Sequence, residues 1–379
     1  MEPKRTRGHG PSTPTRIIKA RPILVSQVVE KELKIAPTSN TNSTATPQKD
    51  LASPALAPTH QGGLKMKEAS KFITEYGEIS ELVQEVLTNN VNFNVVSAIG
   101  PQGSGKSTVL SMLAGNNSRH MYRDYVFRPV SREANELSRH QTLKLDIFVA
   151  NNHIFIDCQP SHSVSILEFV SRASKFDDTL CGTETLKLLA FIFSVSHTVL
   201  ICNENIIDLN FIKTMRTAEL IRPYLKNFEP KLNLERKVNV LFLHTKAQNI
   251  DFATCVLKER EGLLRAMFED STHFRLPEIG KRLIFVLADI KLRRDQLCEN
   301  AEAENEDDIE KSFQDFDEEI NKIRIEILKN RDSFTENIGV MDEKRWAEMC
   351  QEVMKDQTLA ASLRAFQKLS NDANLINQY

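Results

Sequence analysis

The stretch Val95-Val96-Ser97-Ala98-Ile99-Gly100-Pro101-Gln102-Gly103-Ser104-Gly105-Lys106-Ser107 decides how this chain folds. Its second part fits the pattern G-x-x-x-x-G-K-[ST] without a mismatch. An apolar strand leads into the glycines, and an apolar helix follows them. The apolar residues of that helix are Val109, Leu110, Met112 and Leu113. A strand, a glycine-rich turn and a helix in this order predict a loop whose backbone N–H groups wrap phosphate oxygens.

We therefore expect the loop to bind the phosphates of a purine nucleotide, either GDP/GTP or ATP. Lys106 would reach the β- and γ-phosphates, and the Ser107 hydroxyl would hold Mg²⁺. The helix that starts here adds the positive end of its dipole. The residues predicted to bind the nucleotide are Gln102, Gly103, Ser104, Gly105, Lys106, Ser107, Thr108 and Lys246.

An acidic residue is also expected on the metal side of such a loop. Asp157 directly follows the apolar run His153–Ile156, which is the Walker B arrangement. An aspartate that only caps the next turn is the structural alternative. Thr142 precedes the two strands that lead to Asp157 and is placed to close over the γ-phosphate, although an exposed threonine at a strand start is equally consistent. The sequence thus predicts an Mg²⁺ site formed by Ser107, Thr142 and Asp157.

The residues after Asp157 depart from the pattern of active GTPases. D-x-x-G is replaced by Asp157-Cys158-Gln159-Pro160, and proline has no N–H to donate to a γ-phosphate. Ser161 occupies the position that normally orients the attacking water. His162 is next, and a surface histidine is a better interpretation of it than a base. We predict slow or absent turnover and name no catalytic residue.

The expected guanine-reading pattern [NT]-K-x-D is replaced by Thr245-Lys246-Ala247-Gln248. Lys246 is in place to lie on a base. Gln248 can accept and donate hydrogen bonds but lacks the charge that favours guanine. Asp251 comes three residues too late unless the loop rearranges. The choice between guanine and adenine stays open.

The composition is that of an ordinary soluble globular protein. The chain has 379 residues, of which 41% are hydrophobic and 26% charged, with a formal net charge of −2. This balance gives no global signal for nucleic-acid or membrane binding. No run reaches the ~18 apolar residues of a membrane span, and no apolar run near the N-terminus suggests secretion. The 6 cysteines show no C-x-x-C spacing, and free thiols suit a reducing, cytoplasmic compartment.

Composition shifts divide the chain into three parts. Residues 1–65 are rich in Pro, Thr, Ser and Asn and are predicted to be a disordered tail. Strands and helices then alternate over 66–290, which predicts an α/β, P-loop G-domain-like fold with a mainly parallel sheet and helices on both faces. Residues 291–379 are predicted to form an acidic loop and C-terminal helices. The predicted strands are 93–99, 143–149, 153–156, 198–202, 238–243 and 283–287, and the predicted helices of this domain are 106–113, 165–173, 184–195, 209–221 and 252–268.

Hydrophobic spacing makes further predictions at both ends of this fold. Apolar residues at three- and four-residue steps from Ala69 to Val86 predict an amphipathic helix that enters the domain. The acidic run Glu299–Glu310 predicts a solvated loop, and a last helix is predicted over 344–369, with Trp346 in its buried stripe. A heptad spacing predicts a helix that packs along another helix, of the same chain or of a partner. Its residues are Ile309, Phe313, Phe316, Ile320, Ile323 and Ile327.

Three segments together resemble one known family. They are His140-Gln141-Thr142, Ile154–Ser161 and Ser165-Ile166-Leu167, and they are similar to the G-domain subunits, the ninth SMG proteins, of nonsense-mediated mRNA decay kinase complexes. The resemblance covers roughly Asn94 to Leu287, is weaker in the helical C-terminus and is slight in the tail. Pro160, which departs from general GTPases, is part of this family's pattern.

The resemblance implies a nucleotide-binding regulatory and scaffolding subunit. It implies a heterodimer with a second G-domain subunit, the eighth SMG protein, and docking on a phosphatidylinositol-kinase-like protein kinase that phosphorylates the RNA helicase of the pathway. The phosphate-loop residues Gly103–Ser107 carry over directly, as do Thr142 and Asp157 by position. No direct nucleic-acid or membrane contact is implied.

Two enzymatic alternatives remain. An active P-loop NTPase switch could be completed by an arginine from a partner. A small-molecule or nucleotide kinase would need an arginine-rich lid, and no such cluster follows Asp157.

Overall fold

The computed structural model describes residues 66–73, 78–116, 118, 124–150, 152–173, 178–223, 236–289, 306–329 and 341–376. The predicted disordered tail, 1–65, lies outside these residues. Among the helices that are described, none is long and apolar enough to cross a membrane.

The strands and helices alternate along the chain as predicted for an α/β fold. The strands are β1 (Ser70–Lys71), β2 (Asn94–Ile99), β3 (Leu145–Val149), β4 (His153–Cys158), β5 (Thr198–Asn203), β6 (Val238–Ala247), β7 (Phe274–Arg275) and β8 (Ile284–Ala288). The helices are α1 (Glu81–Val86), α2 (Lys106–Leu113), α3 (Arg132–Glu136), α4 (Val164–Ala173), α5 (Asp178–Val195), α6 (Leu209–Leu220), α7 (Thr254–Met267), α8 (Glu306–Lys329), α9 (Glu343–Lys355) and α10 (Gln357–Ile376).

Within the described residues these strands form one eight-stranded mixed sheet in the order β1-β3-β4-β2-β5-β6-β7, with β8 also paired to β6. The pairs β4–β2, β2–β5, β5–β6, β6–β7 and β6–β8 are parallel. The antiparallel strands β1 and β3 extend one edge. The predicted mainly parallel α/β sheet is therefore confirmed.

Hydrophobic clusters cover both faces of the sheet. Val95 and Ile99 of β2 belong to a cluster that includes residues of α5, α6 and α9. Val96 and Ala98 belong to the opposite cluster, together with α2 and α8. Successive residues of a strand point to opposite faces, so a continuous apolar run such as β2 serves both cores.

The predicted amphipathic helix from Ala69 is wrong for its first half. Ser70 and Lys71 instead pair with β3 at the edge of the sheet, and Phe72 N donates to Leu145 O at 3.0 Å. Among the described residues of this span, 69–73 and 78–86, helical geometry is found in α1, from Glu81 to Val86. Buried residues at 72, 73, 79 and 83 mimic a helical period, but strand pairing to a sequence-distant partner satisfies the same burial.

The acidic segment and the heptad helix also differ from expectation. Helix α8 begins at Glu306, so the second half of the predicted acidic loop is helical. Its heptad residues from Phe316 onward are buried in the cluster of α2 and β8. The helix therefore packs within the chain, on β8 of the sheet and against α2. The side chains of Ile309 and Phe313 lie outside the described part.

The predicted last helix is two helices, α9 and α10, because Asp356 is extended and its carboxylate caps the second at Leu359 N. The buried stripe of α9 is confirmed. Trp346 is fully buried, stacks on Phe72 with ring centroids 5.7 Å apart and donates from Nε1 to Val195 O at 2.9 Å. Helix α9 is thereby attached to the sheet and to α5.

The carboxyl ends of β2, β4, β5 and β6 meet at one edge of the sheet. The phosphate loop follows β2, Asp157 lies near the end of β4, and Asn203 ends β5. Strand β6 extends to Ala247, four residues beyond the prediction, so Thr245 and Lys246 lie in the strand rather than in a loop. Ligands of open α/β sheets bind at this edge, where the loops leave the strands.

Candidate nucleotide and metal site

The phosphate loop has the backbone that its glycines predict. Gly105 adopts a φ of 77° directly before α2. Gly100 has a φ of 149°, and an added Cβ would lie 2.0 Å from Cys202 O of β5. No side chain fits at Gly100, because the loop passes directly against the neighbouring strand.

Lys106 lies beneath this loop and is buried. Its Nζ donates to Gly100 O at 3.1 Å and to Pro101 O at 2.8 Å. Burial lowers the pKa of Lys106, and the nearby Asp157 carboxylate opposes that change. The ammonium is thus held by two carbonyls of the loop, within reach of the concave side where phosphate oxygens would bind.

The three residues predicted to form the metal site lie together. Ser107 Oγ donates to Asp157 Oδ2 at 2.7 Å, and Thr142 Oγ1 donates to the same oxygen at 2.9 Å. Asp157 Oδ1 is buried and has no hydrogen-bond partner among the described residues. Burial raises the pKa of Asp157, while Lys106 and the two hydroxyls oppose the rise. Thr142 is buried, which argues against the exposed strand-start interpretation.

This oxygen cluster fits Mg²⁺. Hydroxyl and carboxylate oxygens are its preferred ligands, and it commonly keeps several waters and binds through few protein groups plus phosphates. The unpartnered Asp157 Oδ1 can accept from a metal-bound water, and Ser107 and Thr142 can turn their oxygens toward the ion. Thr108, in the first turn of α2, is partly buried and follows the cluster.

Asp157→Asn tests the predicted Mg²⁺ site in a protein that should still fold. The amide oxygen can still accept from Ser107 and Thr142, so we expect the free energy of unfolding without ligand to stay within about 1 kcal/mol of wild type. The gain in nucleotide affinity on adding Mg²⁺ should fall by about 10–100-fold, the range seen when residues around metal ligands are changed. Calorimetric titrations with and without Mg²⁺ measure this, and an undiminished Mg²⁺ effect would place the metal elsewhere.

Three residues after Asp157 offer no backbone donor to a phosphate in the loop. Pro160 lacks an N–H. The N–H of Ser161 donates to Gly100 O at 3.1 Å, and the N–H of Gln159 donates to Lys144 O at 2.7 Å. His162 is exposed and contacts Thr214, in agreement with the surface interpretation. The N–H groups of Gln159 and Ser161 are thus engaged within the chain.

The base side differs from a guanine site in its charges. Lys246 forms an ion pair with Glu204 beside Gly103. Asp251 Oδ2 accepts from Gln248 N at 2.9 Å, and its Oδ1 accepts from Arg260 at 2.9 Å. The loop therefore has not rearranged to offer Asp251 to a base. Thr245 Oγ1 donates to Ser104 O at 3.0 Å, which joins β6 to the phosphate loop.

Two groups near the site were given no role by the sequence analysis. Ser163 and Ser165 both donate to Gln102 Oε1, and no motif marks isolated serines. Cys158 and Cys202 flank Lys106, and burial raises the pKa of each thiol to about 12. Both thiols therefore stay protonated and are not nucleophiles.

Known proteins similar to this chain include nonsense-mediated mRNA decay factors. The factor SMG9 of Caenorhabditis elegans is 49% identical over 325 residues, which are 85% of this chain and 84% of that protein. SMG9 of Caenorhabditis briggsae is 48% identical over 314 residues, 82% of this chain and 81% of that protein. SMG9 of Xenopus tropicalis is 29% identical over 211 residues, 52% of this chain and 42% of that protein.

No protein-family model matches the chain. Among solved structures, the chain is similar to a probable GTP-binding protein engB, with a TM-score of 0.33 and 14% identity over 62% of this chain and all of that one. The fold assignment therefore rests on the sheet order and loop geometry described above. Given the identity and coverage of the nematode relatives, this chain belongs to the SMG9 family of nonsense-mediated mRNA decay factors.

Proposed function

We propose that the chain is a nucleotide-binding regulatory and scaffolding subunit of the kinase complex that controls phosphorylation of the RNA helicase in nonsense-mediated mRNA decay. The observation that supports nucleotide binding most strongly is the cluster of Ser107, Thr142 and Asp157 beside Lys106. A serine and an aspartate joined across a P-loop are what Mg²⁺-nucleotide binding requires. The family membership supports the pathway.

The residues around the phosphate loop would each bind a different part of the Mg²⁺-nucleotide. The loop from Gly103 to Ser107 offers backbone N–H groups and the start of α2 to phosphate oxygens. Lys106 exchanges its two carbonyl contacts for phosphate oxygens. The bound Mg²⁺ would neutralise phosphate charge, and Ser107, Thr142 and Asp157 would hold it and its waters. Lys246 leaves Glu204 to lie on the base.

We propose that turnover is slow or absent, since none of Pro160, Ser161 and His162, which follow the metal-side strand, is placed to orient an attacking water. Pro160 cannot donate, the Ser161 N–H is already bonded to Gly100, and His162 lies on the surface. The alternative, an active switch, would require this segment to rearrange on a partner that supplies an arginine.

We further propose that the chain forms a cytoplasmic heterodimer with a second G-domain subunit, the eighth SMG protein. This heterodimer docks on the phosphatidylinositol-kinase-like kinase. The nucleotide then acts as a structural ligand of the assembly. The test is a quantitative pull-down of the full chain from cells as wild type, Lys106→Ala and Lys213→Ala, a matched control with an exposed lysine on α6. We expect both partners with wild type and Lys213→Ala and reduced recovery with Lys106→Ala. Absence of both partners from wild type would refute the assembly.

The base preference gives a separate prediction. Because Asp251 is engaged by Arg260 and Gln248 N, it does not offer its carboxylate to a guanine base, and we expect adenine and guanine nucleotides to bind within about tenfold of each other. Gln248→Asp should raise the ratio of GDP to ADP affinity by about tenfold or more, since a charged acceptor doubles the strength of each hydrogen bond. Gln248→Asn is the matched control. Equal ratios in all three proteins would show that residue 248 does not face the base.

A further inference from the structure

The side chain of Gln102 joins the phosphate loop to two other segments. Its Nε2 donates to Ser138 O at 2.9 Å. Its Oε1 accepts from Ser163 Oγ at 2.5 Å and from Ser165 Oγ at 3.1 Å. Ser138 precedes Thr142, and the two serines follow Asp157. One amide thus closes the gap between the loop and the two segments that flank the metal cluster.

The far side of this contact is itself tied into the fold. His140 Nδ1 lies 2.9 Å from Ser165 Oγ, which in turn lies 3.0 Å from Ser163 Oγ, so the imidazole belongs to the same hydrogen-bond network. The His140 ring also packs edge-on against Phe169 of α4. Ser163 Oγ accepts from Ile166 N at 3.3 Å, so it caps the start of α4. His140 therefore joins the segment after α3 directly to the start of α4, and opening the Gln102 contacts would release both of them together from the phosphate loop.

A terminal phosphate would compete for this gap. In P-loop switch proteins the segments before and after the metal-side aspartate close over the γ-phosphate, whereas a diphosphate ends in the cradle of the loop. Here the hydroxyls of Ser163 and Ser165 already donate to Gln102, and the Ser161 N–H already donates to Gly100. A phosphate oxygen that accepts from Ser163 or Ser165 must therefore displace the Gln102 amide oxygen from that hydroxyl.

We propose that Gln102 is a latch that lowers the affinity of this site for nucleoside triphosphates relative to diphosphates, and that a triphosphate must open it. This inference rests on the nucleotide binding proposed above. It also assigns a consequence to the exchange of ligands: with a diphosphate Gln102 ties the phosphate loop to the Ser138–His140 and Ser163–Ser165 segments, and with a triphosphate this tie to the loop opens. The conformation of these two segments would then depend on whether a diphosphate or a triphosphate is bound, without any hydrolysis.

The test compares ADP and GDP with their non-hydrolysable triphosphate analogues by calorimetric titration. The proteins are wild type, Gln102→Ala, Ser165→Ala, the double variant and Gln357→Ala, an exposed control at the start of α10. We expect wild type to bind diphosphates more tightly. Gln102→Ala should reduce the ratio of diphosphate to triphosphate affinity by about tenfold, as expected for the loss of two to three hydrogen bonds. The change should come chiefly from tighter triphosphate binding. Ser165→Ala should shift it in the same direction, and the double variant should equal Gln102→Ala alone, because the two residues act as one unit.

The outcomes separate the latch from the nucleotide site. If wild type binds no nucleotide, the proposed function fails and the latch with it. If wild type binds nucleotide but the ratio is unchanged in Gln102→Ala, the latch is overturned while the proposed function stands. Melting curves identify a misfolded variant, and in that case Ser165→Ala decides alone, since it removes only one hydroxyl from a half-buried position.

Discussion

Lys106→Ala is expected to remove nucleotide binding, with an affinity loss of about 100-fold or more. The ammonium is the one side-chain cation that the described residues place beneath the phosphate loop, where it contacts Gly100 O and Pro101 O. A hydrogen bond to a charged group contributes about 1.5–3 kcal/mol, and several phosphate oxygens would share this one. Titration calorimetry with Mg²⁺ and either purine nucleotide measures the loss.

The same variant should also lose the stabilisation that bound nucleotide gives to the folded state. A ligand that binds only the folded state at ~100 times its Kd stabilises that state by ~2.7 kcal/mol, so wild type should melt higher with nucleotide and Lys106→Ala should not. Lys246→Ala is the matched control. The exposed Lys246 ammonium can at most stack on the base, so its removal should lower nucleotide affinity by about fivefold or less. Equal nucleotide affinity in wild type and Lys106→Ala would mean that the loop does not bind phosphate.

Trp346→Ala is expected to lower the free energy of unfolding by about 3–5 kcal/mol, the range for a large aromatic side chain removed from a core. The indole is fully buried between Phe72 and Phe93, and its N–H satisfies Val195 O. The deletion leaves a cavity and an unpaired carbonyl, and it detaches α9 from the edge that β1 closes. Urea unfolding monitored by circular dichroism measures the effect.

Two variants bracket the Trp346 result. Trp346→Phe keeps most of the volume but not the N–H, so the loss should be smaller than for alanine. Leu369→Ala removes a side chain on α10 that is 69% exposed and should stay within about 0.5 kcal/mol of wild type. If Trp346→Ala were as stable as Leu369→Ala, the C-terminal helices would not be part of the folded core.

Sequence alone predicted the features that are local in the chain. The phosphate loop is contiguous, so its motif and its flanking strand and helix can be recognised without tertiary information. Asp157 could be placed because an apolar strand ends at a charged residue, and the parallel sheet then brings strand ends to one edge. The proximity of Ser107 and Asp157 follows from that topology, since β2 and β4 are neighbours.

Features that depend on distant partners were missed or misplaced. Strand β1 is only Ser70–Lys71 and exists because β3 offers an edge, so nothing in its own period distinguishes it from a helix. Strand β6 runs on to Ala247 because β8 pairs with it there. The Gln102 contacts join residues 36 to 63 positions apart, and neither glutamine nor serine carries a pattern that predicts such pairs.

The most direct test of a nucleotide-binding but non-hydrolysing subunit measures binding and turnover in one experiment. The full chain, as wild type and as Lys106→Ala, is incubated with Mg²⁺ and either ATP or GTP labelled at the γ-phosphate, and bound nucleotide and released phosphate are both quantified. We predict one bound nucleotide per wild-type chain and none on Lys106→Ala. We also predict that wild type releases no more phosphate than the variant does. Multiple turnovers by wild type that Lys106→Ala abolishes, or no bound nucleotide on wild type, would contradict it.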